Sequence, residues 1–324
     1  MRHLRTITVL AAAALLFACS SPYTAMTTIT PIYAATAAGV SVFNGTSWRN
    51  YTTLNGLGSN TVNGIAVSGS GSTAYIYAAT SNGLSTFNGS SWSNITTTTT
   101  GFGSNTVNRV FLGNSYLYAA TGGGLSIYNG SSWSNVTAAS GLASSTVNDV
   151  FVSGESTYAA TLNGISVSRG GAWTTLSGVT GSVAAIFIDV SGDIYAAAGS
   201  ALKISYNGGS SWTTITAGAG SIPGTAVLSL FVDSSYNIYV GTDAGLAVYS
   251  NSGGYWTTHS ATNGLAGDQV NGVFVAGSTI CAATNSGLSV SKDGGSTWTT
   301  YTTANGLGNN QVKGVYVTPP LYSY

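Results

Sequence analysis

The sequence predicts an all-β protein, a seven-bladed β-propeller of four-stranded blades, closed by pairing the C-terminal strand with the N-terminal blade. Three observations predict it. All seven Trp residues (48, 92, 133, 173, 212, 256 and 298) fall on one ladder with gaps of 44, 41, 40, 39, 44 and 42. A period near 40 residues is the signature of a propeller or a solenoid. Each period also repeats an aromatic-small strand, such as Ile32-Tyr33-Ala34-Ala35-Thr36, and in most copies a Gly three residues after the Thr. Finally, the repeats begin at a second strand (residues 31–36) and end at a first strand (Val312 to Val317), so the two ends complete one blade. A solenoid would instead need polar caps.

Each unit reads as four strands. The first is a nearly continuous apolar run, as in Val147 to Val152 or Val183 to Val190, which calls for burial on both faces. The second is the Tyr-Ala-Ala strand. The third is short, as in Gly124 to Tyr128, and leads into an Asn-Gly turn at Asn44, Asn88 and Asn129. Asn-Gly supplies the positive φ that a tight hairpin needs. The fourth strand is expected to begin at the Trp. Radial stacking then covers both faces of each small sheet, and ring closure protects the edges.

Composition restricts function. Charged residues are 5% of the 324, and Lys plus Arg equals Asp plus Glu at 8 each. No basic stripe exists for nucleic acid or for an anionic membrane surface. A hydrophobic share of 44% with 11% aromatics supplies a core, which argues against disorder.

Residues 1–18 read as a signal peptide: Arg2, His3 and Arg5 precede an apolar run at residues 6–17 that is too short to span a bilayer. Leu16-Phe17-Ala18-Cys19 resembles a bacterial lipobox, although Phe17 is unusual there. The resemblance implies cleavage before Cys19 and its acylation, hence a membrane partner through a lipid anchor. An ordinary signal peptide cut nearby is the alternative. In the lipoproteins it resembles, a residue other than Asp after the Cys, here Ser20, implies the outer membrane of a Gram-negative cell. Residues 19–30 are Ser, Thr and Pro rich and read as a tether, leaving 31–324 as the propeller. Beside Cys19 there is only Cys281, so no disulfide is expected.

The segment Asn263 to Val273, followed by Ala282 to Leu288, resembles the two-component regulator propeller repeat: Gly-Leu, a polar turn, a buried strand, then an aromatic-small strand and a second Gly-Leu. Blades 4 and 5 lack the Gly-Leu loop. Ser291-Lys292-Asp293-Gly294-Gly295-Ser296-Thr297-Trp298 resembles the Asp-box, and Ser205 to Trp212 is a variant with Asn207 for the Asp. The first resemblance implies ligand recognition, in some members of glycans. The second implies only a hairpin in which a carboxylate or amide caps turn N–H groups.

Candidate chemistry is sparse. The Trp ladder and the second-strand tyrosines are read as packing, and Cys281, at the seventh position of the Tyr ladder, as a small core hydrophobe. His259 follows Trp256 on a fourth strand and is expected at the surface; one His builds no metal site. Asp189 to Asp193 is expected to be a hairpin turn rather than a calcium loop. The sialidases that share the Asp-box use three arginines converging on a carboxylate. Here Arg49, Arg109 and Arg169 sit on fourth, first and third strands, and the lone Glu155 lies in a turn. Two-carboxylate glycosidase chemistry also lacks candidates. The chain is therefore expected not to be an enzyme and to need no cofactor.

One pattern points to a site. Aligned just after the Val of each first strand are Asn63-Gly64, Asn108-Arg109, Asn148-Asp149, Ala184-Ala185, Leu228-Ser229, Asn271-Gly272 and Lys313-Gly314. First strands line the central channel, so Asn63, Asn108, Arg109, Asn148, Asp149, Asn271 and Lys313 are the candidate ligand-binding residues at its mouth. The alternative is that Arg109 and Asp149, on neighbouring blades, merely pair. The functional expectation is an exported, lipid-anchored, monomeric binding or sensor-like propeller, with a glycan or envelope protein as partner. The alternatives are an envelope scaffold and, less favoured, a glycan-active enzyme.

Overall fold

The computed structural model describes residues 28–29, 31–69, 74–218, 220–318 and 321–322. The signal segment, Cys19 and most of the tether lie outside the described residues. Seven four-stranded antiparallel sheets are arranged in a ring. In blades 2 to 7 the strands follow chain order from the channel outward, with inner strands Val62–Ser68, Val107–Gly113, Val147–Ser153, Val183–Ile188, Val227–Val232 and Val270–Ala276. Blade 1 takes its inner strand, Val312–Val317, from the end of the chain and its other three, Ile32–Thr36, Gly39–Phe43 and Trp48–Tyr51, from the start. Closure runs from Ile32 opposite Val317 to Thr36 opposite Val312. It continues past the strand ends, where Thr28 and Ile29 pair with Tyr322 and Leu321 inside the expected tether.

Seven hydrophobic clusters fill the seven junctions between blades. The second-strand Ala-Ala pairs are fully buried, and their small size lets neighbouring sheets approach. The Thr that ends this strand is also buried. In six blades its hydroxyl donates to the carbonyl of the Gly three residues on, as from Thr36 to Gly39 at 2.8 Å, and accepts from the N–H between them. That Gly holds φ of +99° to +150°. Blade 5 has Ala198 and Ala201 at the two positions, which accounts for the one irregular copy.

The ladders fall where expected, with small differences. The fourth strand begins at the Trp in blades 1 to 4, but at Thr213, Tyr255 and Thr299 in the others. The blade 5 inner strand stops at Ile188, because Asp189 Oδ1 accepts from Ser191 N and Asp193 N to form the predicted turn. Every Trp is half-buried at a junction; Trp48 packs on Phe43 and on Tyr301 of the preceding blade at 5.0 and 5.5 Å. Cys281 is fully buried, and burial pushes its thiol pKa up to about 12. His259 departs from expectation. It is half-buried against Trp298, 5.3 Å between ring centroids, because its strand faces the junction of blades 6 and 7, and burial lowers its pKa.

Candidate functional site

Each inner strand enters its blade at one face of the ring, called upper here. Hairpins joining first to second and third to fourth strands lie on the opposite, lower face. Near the upper end every inner strand carries a β-bulge: Val62 faces Thr80 but Gly64 faces Ala79, leaving Asn63 outside the ladder, and the other six strands do the same. A bulge re-aims a side chain. The candidate positions Asn63, Asn108, Asn148, Asn271 and Lys313 are these bulge residues.

The structure does bring the seven candidates together at the upper end of the channel, and their polar atoms are largely committed to the protein. Asn63 Nδ2 donates to Val107 O (2.9 Å), Asn108 to Val147 O (2.7 Å), Asn148 to Val183 O (2.9 Å) and Asn271 to Val312 O (2.8 Å). Each bond joins one blade to the next. Lys313 Nζ does the same for blades 1 and 2 by donating to Asn63 Oδ1 at 3.0 Å. Burial, with Arg109 nearby, lowers the Lys313 pKa.

Arg109 spans the channel. From blade 3 its guanidinium donates to the carbonyl of Asn63 in blade 2 and, at 3.5 Å, to that of Asn271 in blade 7. Glycines make this path possible: a Cβ on Gly64 would lie 3.0 Å from Arg109 Cδ, and Gly314 lies under the guanidinium. Arg109 and Asp149 do not form the pair offered as an alternative. Asp149 Oδ1 accepts from Val150 N (2.9 Å) and Oδ2 from Ile186 N (3.0 Å). Its remaining exposure faces the narrow channel. Burial raises its pKa to about 6, outweighing the lowering by Arg109 and the two N–H groups. The cavity between these groups is about 110 Å³, room for a few waters and too small for a sugar ring.

Lower in the channel the inner strands form an aromatic collar. Phe111, Phe151, Phe187, Phe231, Phe274 and Tyr316 follow one another at centroid distances of 4.8 to 5.3 Å. All six are half-buried. Blade 2 breaks the collar with Ala66, whose cross-strand partner is Tyr77. Where the collar Phe is present, the partner tyrosines Tyr118, Tyr158, Tyr195 and Tyr239 are buried; Tyr77 is half-exposed.

Tyr77 opens into a groove of about 740 Å³ on the lower face between blades 2 and 3, within the range of small-ligand sites. Tyr75, Tyr116, Tyr128 and Trp133 give it an aromatic lining, and Leu112 connects it inward to the collar. Tyr75 and Tyr116 are 49% and 42% exposed. The hairpin at its edge places Asn114 and Ser115 at φ of 51° and 65°, where the matching turns of blades 4 and 7 begin with Gly154 and Gly277. Non-Gly residues there cost about 1 kcal/mol each. Its described lining contains no Asp, Glu, His, Lys, Arg or Cys. A second groove of about 770 Å³ lies between blades 6 and 7, with Asp233, His259 and Ser296 in its wall. Asp233 is engaged in its own turn, accepting from Ser235 N, Asn237 N and Tyr239 OH. The first groove was visible in the sequence only as Ala66 among aligned aromatics.

The remaining candidates stay apart. Arg49, Arg109 and Arg169 lie on outer, inner and third strands, and Glu155 is in a hairpin turn. In the Asp-box-like hairpin Asp293 accepts from Thr297 N and Oγ1, and its pKa falls to about 2 through the Thr297 hydroxyl, then the Thr297 N–H and Ser291. Asn207 plays the same part at Ser211 N in blade 5. Among the described residues no helix is long and apolar enough to cross a membrane.

No protein-family model matches the sequence, and no curated protein matches it. Solved structures do. The chain is similar to the extracellular domain of the hybrid two component system BT3049 from B. thetaiotaomicron (TM-score 0.62, 20% identity, 75% of this chain and 35% of that one). It is also similar to the GH74 enzyme of Niastella koreensis (TM-score 0.57, 19% identity, 74% of this chain and 45% of that one). A third similar structure is YCF48 bound to D1 peptide (TM-score 0.55, 15% identity, 79% of this chain and 89% of that one). The chain thus spans about a third of the sensor domain's length. What these likenesses establish is the fold: a β-propeller.

Proposed function

We propose that the protein is a lipid-anchored, non-enzymatic binding module of the cell envelope that takes its ligand in the groove between blades 2 and 3. One observation carries this reading: the repeat is kept where it builds the ring and is broken around that groove. Ala66 replaces a collar aromatic, a left-handed Asn114-Ser115 turn stands where blades 4 and 7 begin with Gly, and two tyrosines stay exposed. Asn114 ties its turn to the next blade by donating to Gly154 O at 2.6 Å, while the exposed rings of Tyr75 and Tyr116 beside it leave an aromatic surface open, as a recognition surface does. The described lining offers no group that exchanges protons near neutral pH, which favours binding over catalysis. The lipobox-like Cys19 and the likeness to an extracellular sensor domain support an exported, anchored module.

The test is retention of the purified chain without its anchor (Cys19→Ala) on delipidated envelope material from the host cell. Tyr116→Ala combined with Tyr75→Ala should abolish retention while leaving the melting temperature within a few degrees. Equal retention of variant and wild type would remove the groove from consideration. Cys19→Ala should release the protein from membranes.

A further inference from the structure

The five exposed tyrosines and Val190 all lie on one face. Among the described residues eight large apolar side chains are exposed. Tyr75, Tyr116, Val190 and Tyr236 belong to first-to-second hairpins, and Tyr206 and Tyr255 to third-to-fourth hairpins. Strand direction puts both hairpin sets on the lower face. Leu54 and Leu162, in upper loops, are the remaining two. Tyr rather than Phe or Leu is the residue of an interface that is apolar on one side and wet on the other.

The chain enters at the same face. The second strand of a blade runs from the lower to the upper face, so Ile32 is at the lower end of blade 1, and Thr28–Ile29 extends the pairing farther down. Cys19 precedes Thr28 by nine residues, which reach at most about 30 Å when fully extended. Reaching the upper side means passing the two strands outside the second, about 10 Å, and climbing the eight residues from Thr28 to Thr36, about 26 Å. That route exceeds the tether, and the route through the channel is crossed by Arg109.

We infer that the lower face docks on the lipid bilayer, its tyrosines at headgroup depth. This rests on the lipid-anchor part of the function proposed above. It also specifies that part: the groove between blades 2 and 3 opens at the bilayer surface and takes its ligand there.

The experiment is hydrogen exchange of the full mature chain on phosphatidylethanolamine–phosphatidylcholine vesicles, compared with its Cys19→Ser variant free in solution. Docking slows exchange roughly threefold or more in the hairpins around Tyr116, Val190, Tyr206, Tyr236 and Tyr255. The upper turns after Thr36, Thr121 and Thr161 are unchanged. Protection of the upper turns, of the outer strands, or of neither face overturns the proposal. Mass spectrometry of Cys19 tests the anchor separately. If Cys19 carries no acyl group the anchor reading fails. Docking then stands only if the chain still floats with these vesicles and the combined variant Tyr75→Ser, Tyr116→Ser, Tyr206→Ser, Tyr236→Ser and Tyr255→Ser, shown folded by its melting curve, does not.

Discussion

Replacing Asp149 by Asn gives a pH-dependent stability difference whose size follows from the structure. The carboxyl pKa rises from 3.8 in the unfolded chain to about 6 in the ring. A raised carboxyl pKa means the folded protein binds the proton more tightly than the unfolded one. Its stabilising contribution is therefore fully present below pH 4 and is lost as pH rises through 6. Two units at 1.36 kcal/mol each come to at most about 3 kcal/mol, less whatever solvent in the channel screens. The two oxygens of Asp149 serve different donors, Val150 N and Ile186 N, so in Asn the amide NH2 faces one of them and adds a cost of about 1–2 kcal/mol that does not change with pH. On top of that constant offset, the stability of the variant relative to wild type should rise between pH 4 and pH 7.5. A ring of about 290 residues loses roughly 0.6 kcal/mol per degree at its midpoint, so the gain is up to about 5 °C. Melting curves at pH 4, 5, 6, 7 and 8 measure it; other titrating groups are common to both proteins and cancel. A difference that is constant with pH, or that moves in favour of wild type as pH rises, would refute the reasoning.

The other expectations can be tested together. Arg109→Ala removes the donors to Asn63 and Asn271 and should cost about 2 kcal/mol, while moving the Asp149 transition to higher pH because a lowering charge is lost; the same melts read both. Asn108→Ala removes one junction bond and should cost about 1 kcal/mol, or roughly 2 °C. Cys281 should resist alkylation at pH 8 in the folded protein and react on unfolding in denaturant, because its thiol is fully buried. Deleting residues 310–324 removes the inner strand of blade 1 and should give aggregated protein by size-exclusion chromatography; a soluble, cooperatively melting product would contradict ring closure.

The fold was legible because its information is local and repeated seven times. The Trp spacing, the Thr-to-Gly turn and the Asn-Gly hairpins each encode a contact within a few residues. The alignment of inner strands also picked out Asn63, Asn108, Asn148, Asn271 and Lys313. It could not show what they do. Their partners lie about 40 residues away along the chain, or 250 for Lys313 to Asn63, and the bulge that turns them aside leaves no mark in the hydrophobic pattern. Arg109 is illegible for the same reason, since its second acceptor is 162 residues distant and accessible only past glycines of other blades. His259 was misplaced because an outer strand at a junction has one covered side. Ala66 was in plain view but reads as unremarkable until the six aromatics around it are seen to touch.

Arg109 also changes what kind of object the ring is. A propeller with an open axis joins its two sides. Here one side chain bridges the bore from blade 3 to blade 7, with bulky rings lining the bore beneath it. The molecule is better pictured as a disc with a barred axis: space for a few waters remains beside the guanidinium, but a folded chain or a sugar has no way through. A ligand larger than a few waters therefore reaches only the surface on which it lands.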